Sequence, residues 1–422
     1  MKKQLAAAIL LACASELGLG KTVGLWKDAR SAITDGMIKT LQEAGWQTVI
    51  LQGRDLSDDA KLDALDALFL PGGWNAYFFA DFKARRALVR YVAGGGGILA
   101  GAFRSGYVRT ANRPIFPQVG AVHNRVNGPF LTASGDSDLA RAIDKPFCPG
   151  GRDHLVVKLG PLGKVFAVNG DDPVGVYGEV YGGRCVVFGA FLGLDAVSNA
   201  MAGTERNVLL KSIEWLVGAP KLDDAAKAKH RAQADLDFLR RELLWDWTHN
   251  ERGPDREPGI LPQIRNKLAL DLESRQFKLE YMGGQLSGGQ QSACREAEAE
   301  LKEAMSKLNS EFRNTMAAKI AQIEKMSAAE LLAENPFLNR SNVLAQIEAM
   351  PGRTDAEKKA MKSGMNGGMA GKTVAMFLHG EAISEKLLPE ARKNELIARA
   401  DKAIAAFRPA VKAAKAAKLA AE

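Results

Sequence analysis

Glycine divides this chain into two parts with different folding constraints. Of its 42 glycines, 30 lie in residues 1–220 and 12 in residues 221–422. Glycine permits the tight turns that join strands to helices, and it weakens helix interiors. The first part therefore predicts alternating strands and helices, and the second predicts helices, with the boundary near Gly218, Ala219 and Pro220.

Short apolar runs alternate with amphipathic segments in the first part. The predicted strands are residues 22–26, 46–51, 65–70, 98–100 and 186–189. The predicted helices are residues 31–44, 82–92 and 207–217. Strands that alternate with helices form a parallel sheet covered on both faces. We therefore expect an α/β fold over residues 15–219, a flavodoxin-like parallel sheet with helices on both faces.

Apolar residues recur at helical spacing in the second part. In the longest such segment, residues 290–326, Leu301, Met305, Leu308 and Phe312 are three and four positions apart. This pattern predicts an all-α helical bundle or coiled-coil domain over residues 220–422. We expect such a domain to bind a protein partner or to associate with a second copy of itself. The Met- and Gly-rich stretch 361–376 is predicted to be a flexible connection between helices.

The N-terminus has the order of features found in secretory signal peptides. A basic start (MKK) precedes an apolar run over residues 5–12, and Ala12-Cys13-Ala14 fits a small-x-small cleavage site. Residues 1–14 are therefore predicted to be a signal peptide, and the mature protein to be exported, periplasmic or secreted. The alternatives are a buried first element or a lipoprotein attached through Cys13, although Leu11 stands where a lipoprotein signal usually has a small residue.

Charge and cysteine content narrow the classes of function. The net charge of +8 is spread over both parts instead of forming one basic patch, which argues against nucleic-acid binding. The sequence has no run of 18 apolar residues, so no transmembrane segment is expected. Cys148, Cys185 and Cys294 form no CxxC motif, so neither a metal nor a cofactor is indicated.

Two glycine-containing motifs resemble those of ATPases. Residues 18–22 (GLGKT) resemble the end of a phosphate-binding loop, but Ser15 replaces the required glycine and a predicted strand follows. Residues 286–291 (LSGGQQ) spell the signature loop of ABC ATPases without the partner motifs that this loop needs. We expect no ATP binding, and we interpret the second motif as a turn between helices.

Four segments of the first part follow one another in a recognisable order. They are residues 66–73 (DALFLPGG), 91–100 (YVAGGGGILA), 182–189 (GGRCVVFG) and 207–217 (NVLLKSIEWLV). Over residues 22–218 this order resembles the class I glutamine amidotransferase-like superfamily. Within it, the chain looks closest to the biotin-protein-ligase N-terminal-like group, with the ThuA-like group second.

The resemblance implies where a catalytic centre would lie. Active relatives place a cysteine at a strained turn after the glycine-rich strand, with a histidine and a glutamate after the last strand. The cysteine attacks as a thiolate, and backbone amides hold the oxyanion. Here the nucleophile position holds Ala102, Phe103 or Arg104, depending on register, while Phe191 and Gly193 occupy the histidine and glutamate positions. The expected domain therefore has the fold without the hydrolytic chemistry, and no catalytic residue is assigned.

Candidate ligand-binding residues can still be named at this edge, because open α/β sheets bind ligands outside the carboxyl ends of their strands. The candidate ligand-binding residues are Gly72, Gly73, Trp74, Asn75, Arg104, Ser105 and Gly106. The glycines offer backbone amides, and Arg104 offers a bidentate donor to a carboxylate or phosphate. The favoured interpretation is nevertheless that Phe103 and Phe191 fill this space and that Arg104 makes an internal salt bridge, because two bulky apolar residues at catalytic positions tend to close a site.

These patterns favour an exported, non-catalytic protein with a binding or scaffolding role. One alternative is a hydrolase acting on a small amide or a sugar-derived substrate. It would use Ser105 as nucleophile and His123 or His154 as base. A second alternative is a helical assembly protein, in which the first domain is a passive cap.

Overall fold

The chain forms two compact units, residues Met1–Phe238 and Leu239–Glu422. The computed structural model describes residues 20–27, 33–72, 82–102, 114–128, 130–150, 153–249, 258–286, 288–334, 344–345, 347–350, 352–364 and 370–421. The predicted domain boundary at residues 219 and 220 stays a prediction, because it is drawn from the change in glycine content, whereas these units are defined by contacts within each unit.

The described part of the first unit alternates strands and helices. Its strands are β1 (Thr22–Lys27), β2 (Gln47–Gln52), β3 (Ala67–Leu70), β4 (Gly97–Gly101), β5 (Gly120–Asn127), β6 (Thr132–Ala133), β7 (Asp153–Leu159), β8 (Lys164–Asn169), β9 (Asp172–Val180) and β10 (Gly183–Phe188). Its helices are α1 (Asp35–Glu43), α2 (Asp59–Asp63), α3 (Phe82–Ala93), α4 (Asp138–Arg141), α5 (Gly203–Val217) and the first part of α6 (Asp224–Thr248), with a short 3-10 helix at Gly53–Ser57.

One eight-stranded sheet has the order β2-β1-β3-β4-β10-β9-β8-β6, and β5 pairs with β7 separately. The first five strands are parallel, which confirms the predicted α/β fold. The remaining strands extend the sheet in antiparallel fashion, so the sheet is mixed rather than wholly parallel. The reason is local, because the two-residue turns Gly170-Asp171 and Tyr181-Gly182 connect β8, β9 and β10 as hairpins. Gly170, Tyr181 and Gly182 have the positive φ that such turns use.

The core of this unit lies on both faces of the sheet. On one face, Leu25, Phe69, Leu99 and Val186 are paired across neighbouring strands and are all inaccessible to solvent. Residues of α1 and α5 pack into the same cluster. Alternate strand residues, including Leu68, are buried outside this cluster, as the pleat requires.

Arginines of α3 hold the first part of α6 against the sheet domain. Asp235 accepts hydrogen bonds of 2.9 Å from both Nε and Nη2 of Arg86, and one of 2.6 Å from Arg90 Nη1. Arg90 also pairs with Asp59 at 2.9 Å. This network could not be inferred from the sequence, since its partners are 145 and 149 residues apart.

The second unit is helical in its described residues, which confirms the predicted fold class. After the end of α6 it contains α7 (Ile260–Gly283), α8 (Gly288–Lys325), α9 (Ala328–Glu334), α10 (Asp355–Gly364), α11 (Ala370–Leu387) and α12 (Glu390–Ala421). Helices α7 and α8 run in opposite directions, since Arg265 bonds Asn309 while Glu280 pairs with Lys302. No helix in the described ranges is long and apolar enough to cross a membrane.

Two predictions concern glycine-containing segments of this unit, and the structure agrees with one of them. Helix α8 begins at Gly288, within the LSGGQQ motif, and a turn precedes it, as the prediction of a helix–helix turn required. The predicted flexible connection over residues 361–376 is wrong where the structure describes it. Residues 361–364 belong to α10 and residues 370–376 to α11.

Candidate functional site

The carboxyl ends of β3, β4 and β10 meet at one point of the sheet edge. Gly72, Ala102 and Phe191 follow these three strands closely in the chain. The approach is tight, since a Cβ atom on Gly101 would lie 3.2 Å from the backbone nitrogen of Gly72 and 3.8 Å from the carbonyl oxygen of Ala190. This is the edge at which the sequence places the candidate ligand-binding residues.

Ala102 stands in a backbone conformation that side chains rarely adopt. Its φ of 41° lies in the left-handed region, which costs about 1–2 kcal/mol for a residue with a Cβ atom. Such strain is retained at functional positions when the surrounding packing enforces it. Ala102, one of the three residues predicted for the nucleophile position, therefore stands in a strained turn, and its side chain is only a methyl group.

Phe191 covers this turn. Its ring is 1% exposed and clusters with Ala102, Val122 and Leu155. A Cβ atom on Gly72 would lie only 2.4 Å from Phe191 Cδ1 and 3.1 Å from the Ala102 methyl, so the ring fills the space over both residues. The structure thus brings together three of the predicted positions, and their contact surface is apolar.

The two-stranded pair β5–β7 completes this cluster, which sequence reasoning missed. Val122 comes from β5 and Leu155 from β7, and the Leu155 amide donates to the Gly189 carbonyl at 2.9 Å. The apolar residues of β5 and β7 indicate that these strands are buried, but not which part of the fold the strands cover.

The backbone of Gly193 anchors the loop after β10 through two hydrogen bonds. Its φ is 73°, its amide donates to Glu205 Oε1 at 2.7 Å, and its carbonyl accepts from Thr34 Oγ1 at 3.2 Å. Burial raises the pKa of Glu205, while hydrogen bonds from the amides of Gly193 and Gly150 oppose the shift and Asp195 adds to it. The Glu205 carboxylate therefore ties this loop to the first turn of α5.

The remaining candidates lie outside the described residues. They are Gly73, Trp74, Asn75, Phe103, Arg104, Ser105 and Gly106. Ligand binding by these residues therefore stays a prediction. Among the residues that the structure does describe, no group of three or more His, Cys, Asp or Glu side chains is arranged to hold a metal ion.

His154, one of the two histidines considered as a base, is buried in β7. Asn169 Nδ2 donates to His154 Nε2 at 2.8 Å, which requires that nitrogen to be unprotonated. Burial lowers the pKa of His154 below its ordinary value, and Asp172 opposes the shift. His123 lies in β5, and its side chain is outside what the structure describes.

Acidification should therefore destabilise this unit through His154. Below an ordinary pKa of 6.5 the unfolded histidine takes up a proton more readily than the buried one. Stability from this group is present above that pH and is lost as the pH falls, by at most about 1.4 kcal/mol per pH unit. Urea unfolding at pH 7.5 and 5.5 should show a smaller loss in His154→Gln than in the wild type. Equal losses would contradict this assignment.

Comparison with known proteins gives likeness in structure only. No protein-family model matches the sequence. No curated protein matches it either. Solved structures similar to part of the chain include a cytoplasmic protein from Salmonella typhimurium, with 13% identity and a TM-score of 0.35, covering 46% of this chain and 98% of that one.

Two further structures carry descriptions related to the resemblance drawn from the sequence. One is a candidate GMP synthase component from Thermoplasma acidophilum, with 14% identity, a TM-score of 0.31 and coverage of 50% of this chain and 96% of that one. The other is a candidate ThuA-like protein from Bacteroides uniformis, with 12% identity, a TM-score of 0.32 and coverage of 46% and 90%. Both TM-scores are below 0.5, so neither likeness carries an argument about the superfamily of this chain. At such low scores we draw nothing from them about chemistry.

Proposed function

We propose that the α/β unit is a non-catalytic binding or scaffolding module of the amidotransferase-like type, nearest to the biotin-protein-ligase N-terminal-like group. The observation that carries this proposal is the packing of Phe191 against Gly72 and Ala102. Acyl transfer needs a nucleophile, a base and open space for a substrate. The residues at the corresponding described positions supply neither of the reactive groups, and an aromatic ring fills the space.

The test places a thiol in the strained turn and measures its accessibility. Ala102→Cys is made in a Cys13→Ser/Cys148→Ser background, so that the remaining native thiols, Cys185 and Cys294, are both buried. Burial also raises the pKa of each of these two thiols, which slows their reaction. An aromatic disulfide reagent then reports the introduced thiol in the native state.

We expect the introduced thiol to react at least about tenfold more slowly than the exposed thiol of Cys148 in the wild type, because the covering ring must first move. Adding Phe191→Ala should restore fast labelling. Fast labelling with Phe191 still present would show an open site. That result would overturn the proposal and favour the hydrolase alternative.

We further propose that the chain is exported and that its helical part associates with a protein partner or with itself. Support for export comes from the signal-like residues 1–14, and support for association from the amphipathic pattern of residues 290–326. Appearance of the mature N-terminus outside the cytoplasm would test export, and the mass of the purified chain in solution would test self-association.

A further inference from the structure

A cavity lies at the amino ends of the parallel strands, at the opposite end of the strands from Ala102. We call it the amino-edge pocket. It has a volume of about 340 Å³, which is within the range of pockets that hold small molecules. Its walls come from the residues just before β1, β3 and β4, from the end of α5, and from the first turns of α6. All of these elements belong to the first unit, and the pocket shares no lining residue with the Phe191 cluster.

Basic side chains exceed acidic ones in this amino-edge pocket. The charged lining residues are Lys21, Lys221, Lys227, Arg231, Asp63 and Asp66. Arg231 and Asp63 pair with each other. Asp66 accepts the backbone amide of Thr22 at 2.7 Å. Four positive and two negative groups leave a formal excess of two positive charges in the pocket wall.

All three lysines keep donors for a ligand, but Lys221 is exposed, whereas Lys21 and Lys227 are half-buried. Lys21 Nζ donates once, to the carbonyl oxygen of Val217 at 3.1 Å, and an ammonium group has three donors. Lys227 Nζ lies 4.0 Å from a carboxylate oxygen of Asp224, whose side chain is fully exposed. A pair at that distance and exposure contributes little and does not neutralise the lysine.

Apolar side chains and one tyrosine also line the pocket. Leu65, Leu216 and Leu222 form apolar wall, and the Tyr91 hydroxyl lies 3.4 Å from the Leu65 carbonyl and 3.3 Å from the Gly97 carbonyl. Burial raises the pKa of Tyr91, so its hydroxyl stays neutral. The formal excess of two positive charges beside these apolar side chains favours a ligand with two negative charges and a short apolar body.

We propose that the amino-edge pocket binds a small dicarboxylate, with Lys21 and Lys227 as its main donors. The site is separate from the closed catalytic position, so it gives the binding module a ligand site without reopening that position. The labelling experiment at Ala102 and the experiment below can therefore fail independently.

The test is calorimetric titration of the full chain with succinate at constant ionic strength and pH 7.5, with neutral succinamide as the matched ligand. We expect saturable binding of succinate and none of succinamide. Lys21→Gln and Lys227→Gln should each weaken succinate binding at least tenfold. Lys229→Gln is the control, because Lys229 is exposed on the same helix as Lys227 and does not line the pocket.

Two results would overturn the proposal. One is the absence of saturable succinate binding by the wild type. The other is binding that Lys21→Gln and Lys227→Gln both retain at wild-type strength, which would place the anion elsewhere. Should Lys21→Gln fail to fold, Lys227→Gln still decides the question, since the Lys227 side chain is partly exposed and its ion pair with Asp224 is weak.

Discussion

Replacing Asp235 by alanine should lower the free energy of unfolding of the first unit by about 3 kcal/mol. The Asp235 side chain is 13% exposed and bonds Arg86 and Arg90, whose side chains are 26% and 28% exposed. Breaking a buried ion pair from one side costs about 3–5 kcal/mol, because a charge is left without a partner. We expect the lower end of this range, since Arg90 retains Asp59. Equilibrium urea unfolding measures the change.

A matched control lies on the same helix. Asp224 is fully exposed and only 4.0 Å from Lys227, so Asp224→Ala should change stability by less than about 0.5 kcal/mol. Asp235→Asn should fall between the two, because it keeps acceptor geometry on one oxygen while losing the charge. If Asp235→Ala changed the free energy of unfolding as little as Asp224→Ala, the ion-pair network would not be what holds α6 against α3.

Local sequence patterns could predict the parallel part of the fold. The predicted strand at residues 22–26 is observed as Thr22–Lys27, and the predicted helix at residues 82–92 as Phe82–Ala93. Each is an apolar run or an amphipathic segment bounded by residues that break it, so the information is contained in neighbouring positions. The antiparallel extension was missed, although Gly170-Asp171 is a hairpin signal.

The sequence indicates where the candidate site lies and that Phe191 closes it, but it does not indicate which other residues complete the cluster. The motif positions indicate Ala102 and Phe191, and the structure places both at the expected edge. Val122 and Leu155 reach the same cluster from β5 and β7, and no local pattern encodes that meeting. The same limit applies to Asp235, whose arginine partners lie in a distant helix. Contacts between remote segments depend on the complete tertiary arrangement.

Phe191→Ala should cost about 3–5 kcal/mol of stability, because removing a fully buried phenyl ring forfeits its burial and leaves a cavity. Phe130, which is 55% exposed, supplies the control. Phe130→Ala should change stability by less than about 0.5 kcal/mol. Urea unfolding compares the two variants, with equal m-values required for the comparison to hold.

The size of this loss separates a closed site from an open one. Phe191 packs against Gly72, Ala102, Val122 and Leu155, so removing its ring should lose the full cavity penalty in stability. Removing a ring that lined an open, solvated pocket would lower stability by less than about 1 kcal/mol. Opening the space should also yield no amide or ester hydrolysis, because the strained turn at Ala102 still presents a methyl group in place of a nucleophile. A small loss, or hydrolysis by the wild type that Phe191→Ala enhances, would instead favour an enzyme whose reactive groups lie beyond the described positions.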